Sequence, residues 1–388
     1  MKPVSTISQS FSVQYRYSLY FTEHLFSVEN DLFQQVIKEG ATTDTAKLLF
    51  VVDEGVANAH PALLDEIKVY CHNYGHLSFL DTLLVPGGEN SKNDSAQVDR
   101  VLKAINHRGV CRHSFVVAIG GGAVIDMVGY AAATAHRGVK LVRVPTTVLA
   151  QNDAAVGVKN GINAFGKKNF LGSFTIPTAI INDFRFITTL DQRDWISGVA
   201  EAIKVALIKD ASFFDFLEKN AVALAKRKKE PMQRLIHRCA EIHMQHISQG
   251  GDPFESGSSR PLDFGHWSAH KLEQMTNYDL RHGEAVAMGI ALDVTYAHLM
   301  GMIDNGTLKR VLKVLCEVGF DLKMPIKGEP RVTELLKGIE EFREHLGGKL
   351  TITLIVGIGK KVDVHKIDEQ KMREAIAIRS VAVEKLSC

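Results

Sequence analysis

The chain has 388 residues, 45% of them hydrophobic and 23% charged, a balance that supports a sizeable core and excludes a disordered or fibrous protein. Its 46 Lys+Arg against 44 Asp+Glu leave a formal charge of +2, which gives no support to a general nucleic-acid binder. The length predicts two domains, and five scattered cysteines with no CxxC pair argue for a reducing, cytoplasmic setting.

From the amino terminus, MKPVSTISQSFSVQYRYSLYF alternates polar and apolar residues without a secretory apolar core, and residues 11–20 read as a strand. KLLFVVD at 47–53 reads as a strand ending in an acid, followed by a helix at 63–74, a strand at 80–86 and a helix at 95–106. Residues 115–135 approach membrane-spanning length, but FVVAIGGG followed by AVIDMVGYAAATA fits a buried strand, a glycine turn and a packed helix better, so no membrane association is expected. VKLVRVPTT is a further strand with polar residues at its end. Near 175–190 the character changes, and from 191 onward the pattern is mainly helical. The basic run at 226–229 reads as a solvated helix end, and KLTITLIV at 349–356 as a small strand. The fold class expected is α/β: an amino-terminal nucleotide-binding domain with a mainly parallel sheet (1–180) and a mainly α-helical, metal-binding carboxyl-terminal domain (181–388), packed around a shared cleft.

Three groups of residues carry chemistry. Gly120, Gly121 and Gly122 follow a hydrophobic strand and open a helix with Asp126 one turn inside it, a setting that suits either a pyrophosphate or a tight structural turn. Asp53 ends an earlier strand as a ribose ligand or a helix cap, and Glu89 and Lys92 form a GExxK pattern that suits cofactor binding or a surface pair. Arg143-Val-Pro-Thr146-Thr147 leads into Asp153, Lys159, Lys168 and Asn169, whose hydroxyls, ammonium groups and amide suit an anion such as phosphate. Arg137 is another anion candidate, reachable only after folding or from a partner subunit. Glu201, His266 and His282 form the best metal set, with Lys204 three residues after Glu201 and His270 four after His266. His243 and His246 suit a metal pair less well than a surface or core role, and Glu284 suits either ligand orientation or helix support.

In order along the chain, GExxK, GGGAVIDMVG, RVPTTVLAQNDAAVGVKNGIN, GKKN, GVAEAIK, DFGHWSAH and HGEAVAMG resemble the dehydroquinate synthase superfamily of sugar-phosphate cyclases. The resemblance implies NAD+ at Asp53, Glu89, Lys92, Gly120, Gly121, Gly122, Asp126, Thr146 and Thr147, zinc (or cobalt or another divalent ion) at Glu201, His266 and His282, and catalytic roles for Lys204, His270 and Asp153. It also implies a homodimer and a lyase-type cyclisation: transient oxidation of a ring hydroxyl by NAD+, elimination of phosphate, return of the hydride, ring opening and an aldol closure.

Departures from the family pattern bear on the substrate. His243 stands where the family carries a lysine, Asp263 replaces an asparagine, and Arg260 lies one residue closer to the metal histidine. The terminal Asp-Lys-Lys element is not evident, and Arg343 is a candidate replacement. Losing a fixed positive charge and adding an acid disfavours a substrate carboxylate. A phosphorylated ketose such as sedoheptulose 7-phosphate is therefore expected, bound by Arg137, Lys159, Lys168, Asn169, His243, Arg260 and Asp263. The alternatives are 3-dehydroquinate synthesis from 3-deoxy-arabino-heptulosonate 7-phosphate, a metal- and NAD-dependent polyol dehydrogenase, and a non-catalytic binding protein.

Overall fold

A computed structural model describes residues 6–165, 167–250, 253–254 and 261–381. Six strands form one parallel sheet: β1 (Ser18–Thr22), β2 (Ala46–Asp53), β3 (Leu77–Val85), β4 (Phe115–Gly120), β5 (Lys140–Pro145) and β8 (Ala179–Asp183). Their spatial order is β1-β8-β5-β4-β2-β3. Strand residues alternate between two faces, and here both faces are apolar. Leu48, Phe50 and Val52 of β2 pack on one side with α1 (Leu32–Gly40) and α3 (Leu63–Asn73). Leu49 and Val51 pack on the other with α5 (Ser95–His107) and α6 (Gly122–Thr134). Such two-sided burial is what makes a parallel sheet stable. The short helices α2 (Glu54–Ala59) and α4 (Asn90–Asn93) sit just after β2 and β3. Strand order reverses between β2 and β4, so the crevice outside their carboxyl ends is the natural ligand site of such a sheet.

The expected strand at 11–20 is confined to Ser18–Thr22, because only there does β8 offer a partner edge, from Ser18↔Ala179 to Thr22↔Asp183. β8 also carries the sheet past the boundary expected at 180, and the first long helix beyond it starts at Gln192. The polar segment expected as an anion-binding stretch forms an antiparallel hairpin, β6 (Lys159–Ala164) with β7 (Lys167–Phe174). The 115–135 stretch is β4 followed by α6, and no helix among the described residues is long and apolar enough to cross a membrane.

The rest is helical: α7 (Gln192–Lys209), α8 (Ala211–Ala225), α9 (Lys229–Gln249), α10 (His266–Met275), α11 (His282–Leu299), α12 (Asn305–Val318), α13 (Glu329–His345) and α14 (Glu369–Ser380), with the small antiparallel pair β9 (Ile352–Gly357) and β10 (Lys360–Val364). α7 is the central post, buried without a break from Trp195 to Ile208. Two glycines let its neighbours close in. A Cβ on Gly283 would stand 2.2 Å from the Ser197 carbonyl oxygen, and one on Gly289 would stand 2.0 Å from that of Gly265. The approach of α11 to α7 and to the start of α10 therefore requires glycine at both positions, and it sets the separation of the side chains described next.

A candidate metal centre beside a nucleotide crevice

At the end of β4, Gly120 runs into α6, whose N-cap is Gly121 and whose first turn has no side-chain cap. Its free N–H groups and the positive end of the helix dipole face the crevice, a setting that suits a phosphate. The glycines are sterically required, since a Cβ on Gly120 would meet Val124 at 2.9 Å and one on Gly122 would meet Ala154 at 2.9 Å. Asp53, at the end of β2, caps α2 by accepting from the Gly55 N–H at 2.8 Å, and burial raises its pKa. Lys92 is buried and donates to Asp126 at 2.7 Å and to the Asn169 amide oxygen, so it is not paired with Glu89 at the surface. Glu89 instead accepts from Asn163 of the hairpin at 2.7 Å. Thr146 is buried beside this crevice, and its backbone N–H donates to the Gly120 carbonyl at 3.0 Å, while Thr147 accepts from the Ala150 N–H at 3.1 Å.

A single π turn, Ala150–Ala154, follows β5 and presents Asp153 to the helical side. Gln151 donates to the carbonyls of Pro145 and Asp183, and Asn152 to that of Gly198 on α7, which pins the turn between sheet and helices. Arg143, which opens the RVPTT motif, is fully buried. Its guanidinium donates to the carbonyls of Ala155 (2.8 Å) and Gly157 (2.5 Å) and to the Asn160 side chain (2.8 Å), holding the entry to the hairpin. Asp153 lies 3.1 Å from His243 Nδ1 on α9. Burial would raise the Asp153 pKa, but Lys204 and His243 outweigh it and hold the carboxylate ionised.

The metal candidates converge from three helices. Glu201 of α7 has no exposed surface, and its Oε1 lies 3.5 Å from His266 Nε2 and 3.3 Å from His282 Nε2. Its other oxygen pairs with Lys204, one turn along α7. His270 stands in the same cluster: ligand atoms of His266, His270 and His282 all lie within 4.8 Å of one another. Two of the rings meet an oxygen on the side away from Glu201. His266 Nδ1 faces the Phe264 carbonyl at 3.0 Å, and His282 Nδ1 faces Glu273 at 3.2 Å. With Nδ1 of each ring turned to an acceptor, Nε2 is left on the Glu201 side, where a cation that displaces any proton there can be ligated.

Although Lys204 and the imidazoles stand close, neither Glu201 oxygen receives a well-directed hydrogen bond. A buried carboxylate left in this state beside several imidazole nitrogens suits a divalent cation. Burial would push the Glu201 carboxyl up, yet Lys204 and His266 hold it well below the ordinary range. Burial and the neighbouring His266 push the His270 pKa far down, so that ring is neutral. Burial would lower the His282 pKa too, but Glu273 and Glu201 lift it to about 9.

The remaining candidates are placed as follows. Lys168 of β7 pairs with Glu273 at 2.8 Å, and Asn169 beside it takes a left-handed φ of 52°. Asp263, in the short turn before α10, is half-buried and kept ionised against burial by Lys159, His266, Lys204 and His270. Arg137 is exposed beyond the carboxyl end of α6, at the opposite end of that helix from Gly121. Arg260 lies outside the described residues. His246 is not paired with His243 on a metal: it faces Lys209 at 3.3 Å, and burial with that charge pushes its pKa down to about 4. Glu284 supports its helix, accepting from the Arg281 N–H and from Arg193.

The family description "3-dehydroquinate synthase N-terminal" matches residues 82–197, and "3-dehydroquinate synthase C-terminal" matches residues 198–341. The chain belongs to the dehydroquinate synthase-like superfamily of sugar-phosphate cyclases. It is 32% identical over 361 residues to a 3-dehydroquinate synthase of Shewanella sp. (strain MR-4), covering 93% of this chain and 96% of the relative. It is equally 32% identical, over 337 residues and 86% of each chain, to a 2-epi-valiolone synthase of Actinosynnema mirum. Its fold matches ValA, the 2-epi-5-epi-valiolone synthase of Streptomyces hygroscopicus subsp. jinggangensis 5008 solved with NAD+ and Zn2+ bound, with a TM-score of 0.85, 27% identity, and 97% and 99% of the two chains covered.

Within this cyclase fold, reading the sequence missed Glu273. The available signal was spacing: His266, His270 and Glu273 stand at i, i+4 and i+7 on α10, one stripe of a single helix face.

Proposed function

We propose that this cyclase closes a ketose phosphate without a carboxylate, such as sedoheptulose 7-phosphate, to a carbocycle with elimination of phosphate. NAD+ in the β2–β4 crevice supplies reversible hydride acceptance, and zinc, or another divalent ion that the same donor set admits, supplies Lewis acidity at Glu201, His266 and His282. The bound NAD+ and Zn2+ of ValA support both assignments. Asp53, the Gly120–Gly122 turn, Asp126, Thr146 and Thr147 border the cofactor's crevice. Lys204 and Asp153 face the metal cluster from α7 and the π turn as polar or proton-transferring groups, with His270 neutral beside them.

The feature that carries the substrate reading is Asp263, a half-buried acid three residues before His266, held ionised against burial by Lys159, His266, Lys204 and His270. A carboxylate there accepts hydrogen bonds from sugar hydroxyls and repels an acidic substituent. His243 adds to this, since it is engaged by Asp153 at the place where the family pattern has a lysine. A second reading, 3-dehydroquinate formation, has the weight of the curated relatives, four of which carry that name at 32–35% identity.

The test compares kcat/KM for phosphate release from the neutral and the carboxylated heptulose phosphate, in the wild type and in His243→Lys, Asp263→Asn and the double variant. The double variant is expected to shift the ratio toward the carboxylated sugar by about tenfold or more. Wild-type turnover of the carboxylated sugar alone would establish the second reading instead.

A further inference from the structure

Among the described residues of the helical region, a buried carboxylate with no role yet given touches both a metal-site histidine and the hairpin. Glu273 of α10 is 3% exposed. Its Oε2 faces His282 Nδ1 at 3.2 Å, and its Oε1 accepts from Lys168 Nζ at 2.8 Å. Lys168 comes from β7, and its ammonium also stands 3.9 Å from Glu89, in the segment that follows β3. One side chain thus joins α11, through His282, to the sheet-side hairpin.

An imidazole offers a lone pair at one nitrogen only when its hydrogen sits on the other, and an acceptor at that other nitrogen decides which. Among the described residues Glu273 is the acceptor at His282 Nδ1, while Nε2 faces Glu201. We infer that Glu273 is a positioning residue, holding His282 with its hydrogen on Nδ1 and its Nε2 lone pair toward the metal centre, and that Lys168 fixes Glu273 for this task. Metal affinity is thereby tied to the hairpin, so a change at Lys168 alters a metal site it does not touch. The inference rests on the reading of Glu201, His266 and His282 as the metal site, and not on the identity of the substrate.

The experiment is a Zn2+ titration of metal-stripped enzyme against a competing fluorescent chelator, without NAD+ or sugar. Glu273→Ala is expected to weaken binding by about 10–100-fold, the usual effect of removing a group that orients a metal-bound histidine. Should the Ala variant fail to fold, Glu273→Gln, close to isosteric, carries the test and is expected to weaken binding about 3–10-fold. Lys168→Met is expected to weaken binding in the wild-type background and to add nothing in the Glu273→Gln background. Unchanged Zn2+ affinity in a folded Glu273 variant, even one of lower Tm, would overturn the positioning role. Additive effects of the two substitutions would overturn the link through Lys168. A wild-type protein that binds no Zn2+ would count against the metal site itself, a failure distinct from either.

Discussion

A carboxylate as enclosed as that of Glu201 stays ionised only when charge is brought to it, and here the charge arrives as Lys204 and two imidazole edges. Replacing His266 with Ala removes a donor from the middle of this arrangement. Zn2+ content after dialysis should fall to a small fraction of the protein concentration, and phosphate-releasing turnover should fall about 100-fold or more, since Lewis-acid assistance contributes several kcal/mol. NAD+ binding, followed by quenching of intrinsic fluorescence, should persist, because the Gly120–Gly122 turn belongs to the sheet. Unchanged metal content would defeat the assignment. The residue types of this centre were legible in the sequence, because few chains place an acid, a lysine and three histidines in such motifs without use for them. The division of labour among the histidines was not. His270 was separated from the metal set by analogy, whereas the fold puts its ring centroid 5.4 Å from that of His266 and 5.8 Å from that of His282.

At the scale of elements, strands covered on both faces and helices with one apolar stripe announced themselves, so β2, β4, β5, α3, α5 and α6 were all expected close to where they lie. The hairpin β6–β7 was hidden because its pairing is local and polar. Its residues read as anion ligands, and the buried Arg143 that anchors its entry is satisfied by carbonyls, which no side-chain pattern reveals. A second long-range tie was equally silent. Asp293, buried in α11, accepts from the Gly265 N–H at 3.1 Å and the Trp267 indole at 3.0 Å, fastening the start of α10. Burial pushes its pKa up to about 7 from 3.8. A carboxyl whose pKa is raised on folding is neutral in the folded chain while it ionises in the unfolded one. Its penalty is therefore absent below pH 4, grows as pH rises, and levels off above 7 at about 4 kcal/mol as an upper bound. Asp293→Asn cannot ionise, although its amide satisfies only one of the two donors, at a cost of about 1 kcal/mol. The variant should thus be the less stable at pH 4 and gain on the wild type steadily toward pH 7. Urea denaturation of both proteins across that range checks this, and a constant difference would show that the residue does not titrate on folding.

At the scale of the whole molecule, one expected ligand lies far along α6 from the nucleotide turn of its own chain. Arg137 is exposed just past α6, whose 13 residues put it about 20 Å along the helix from the Gly121 turn at the other end. Its backbone there is tightly turned, with left-handed φ at both His136 (52°) and Arg137 (61°), so the position is built rather than trailing. If this arginine serves an active site, that site belongs to a second copy of the chain. Arg137→Ala and His266→Ala should then each be poorly active alone, the first for want of an anion contact and the second for want of metal. Mixed after unfolding and refolding together, they should recover activity. In a dimer of one chain of each kind, the Arg137→Ala chain keeps an intact metal centre and receives the arginine from its neighbour. Random pairing of equal amounts makes half of the dimers mixed, each with one complete site of two, so the recovered rate should approach about one quarter of wild type per chain. Recovery requires both the second copy and the arginine. A mixture no more active than the average of its parts would show that Arg137 does not serve the site of a second copy.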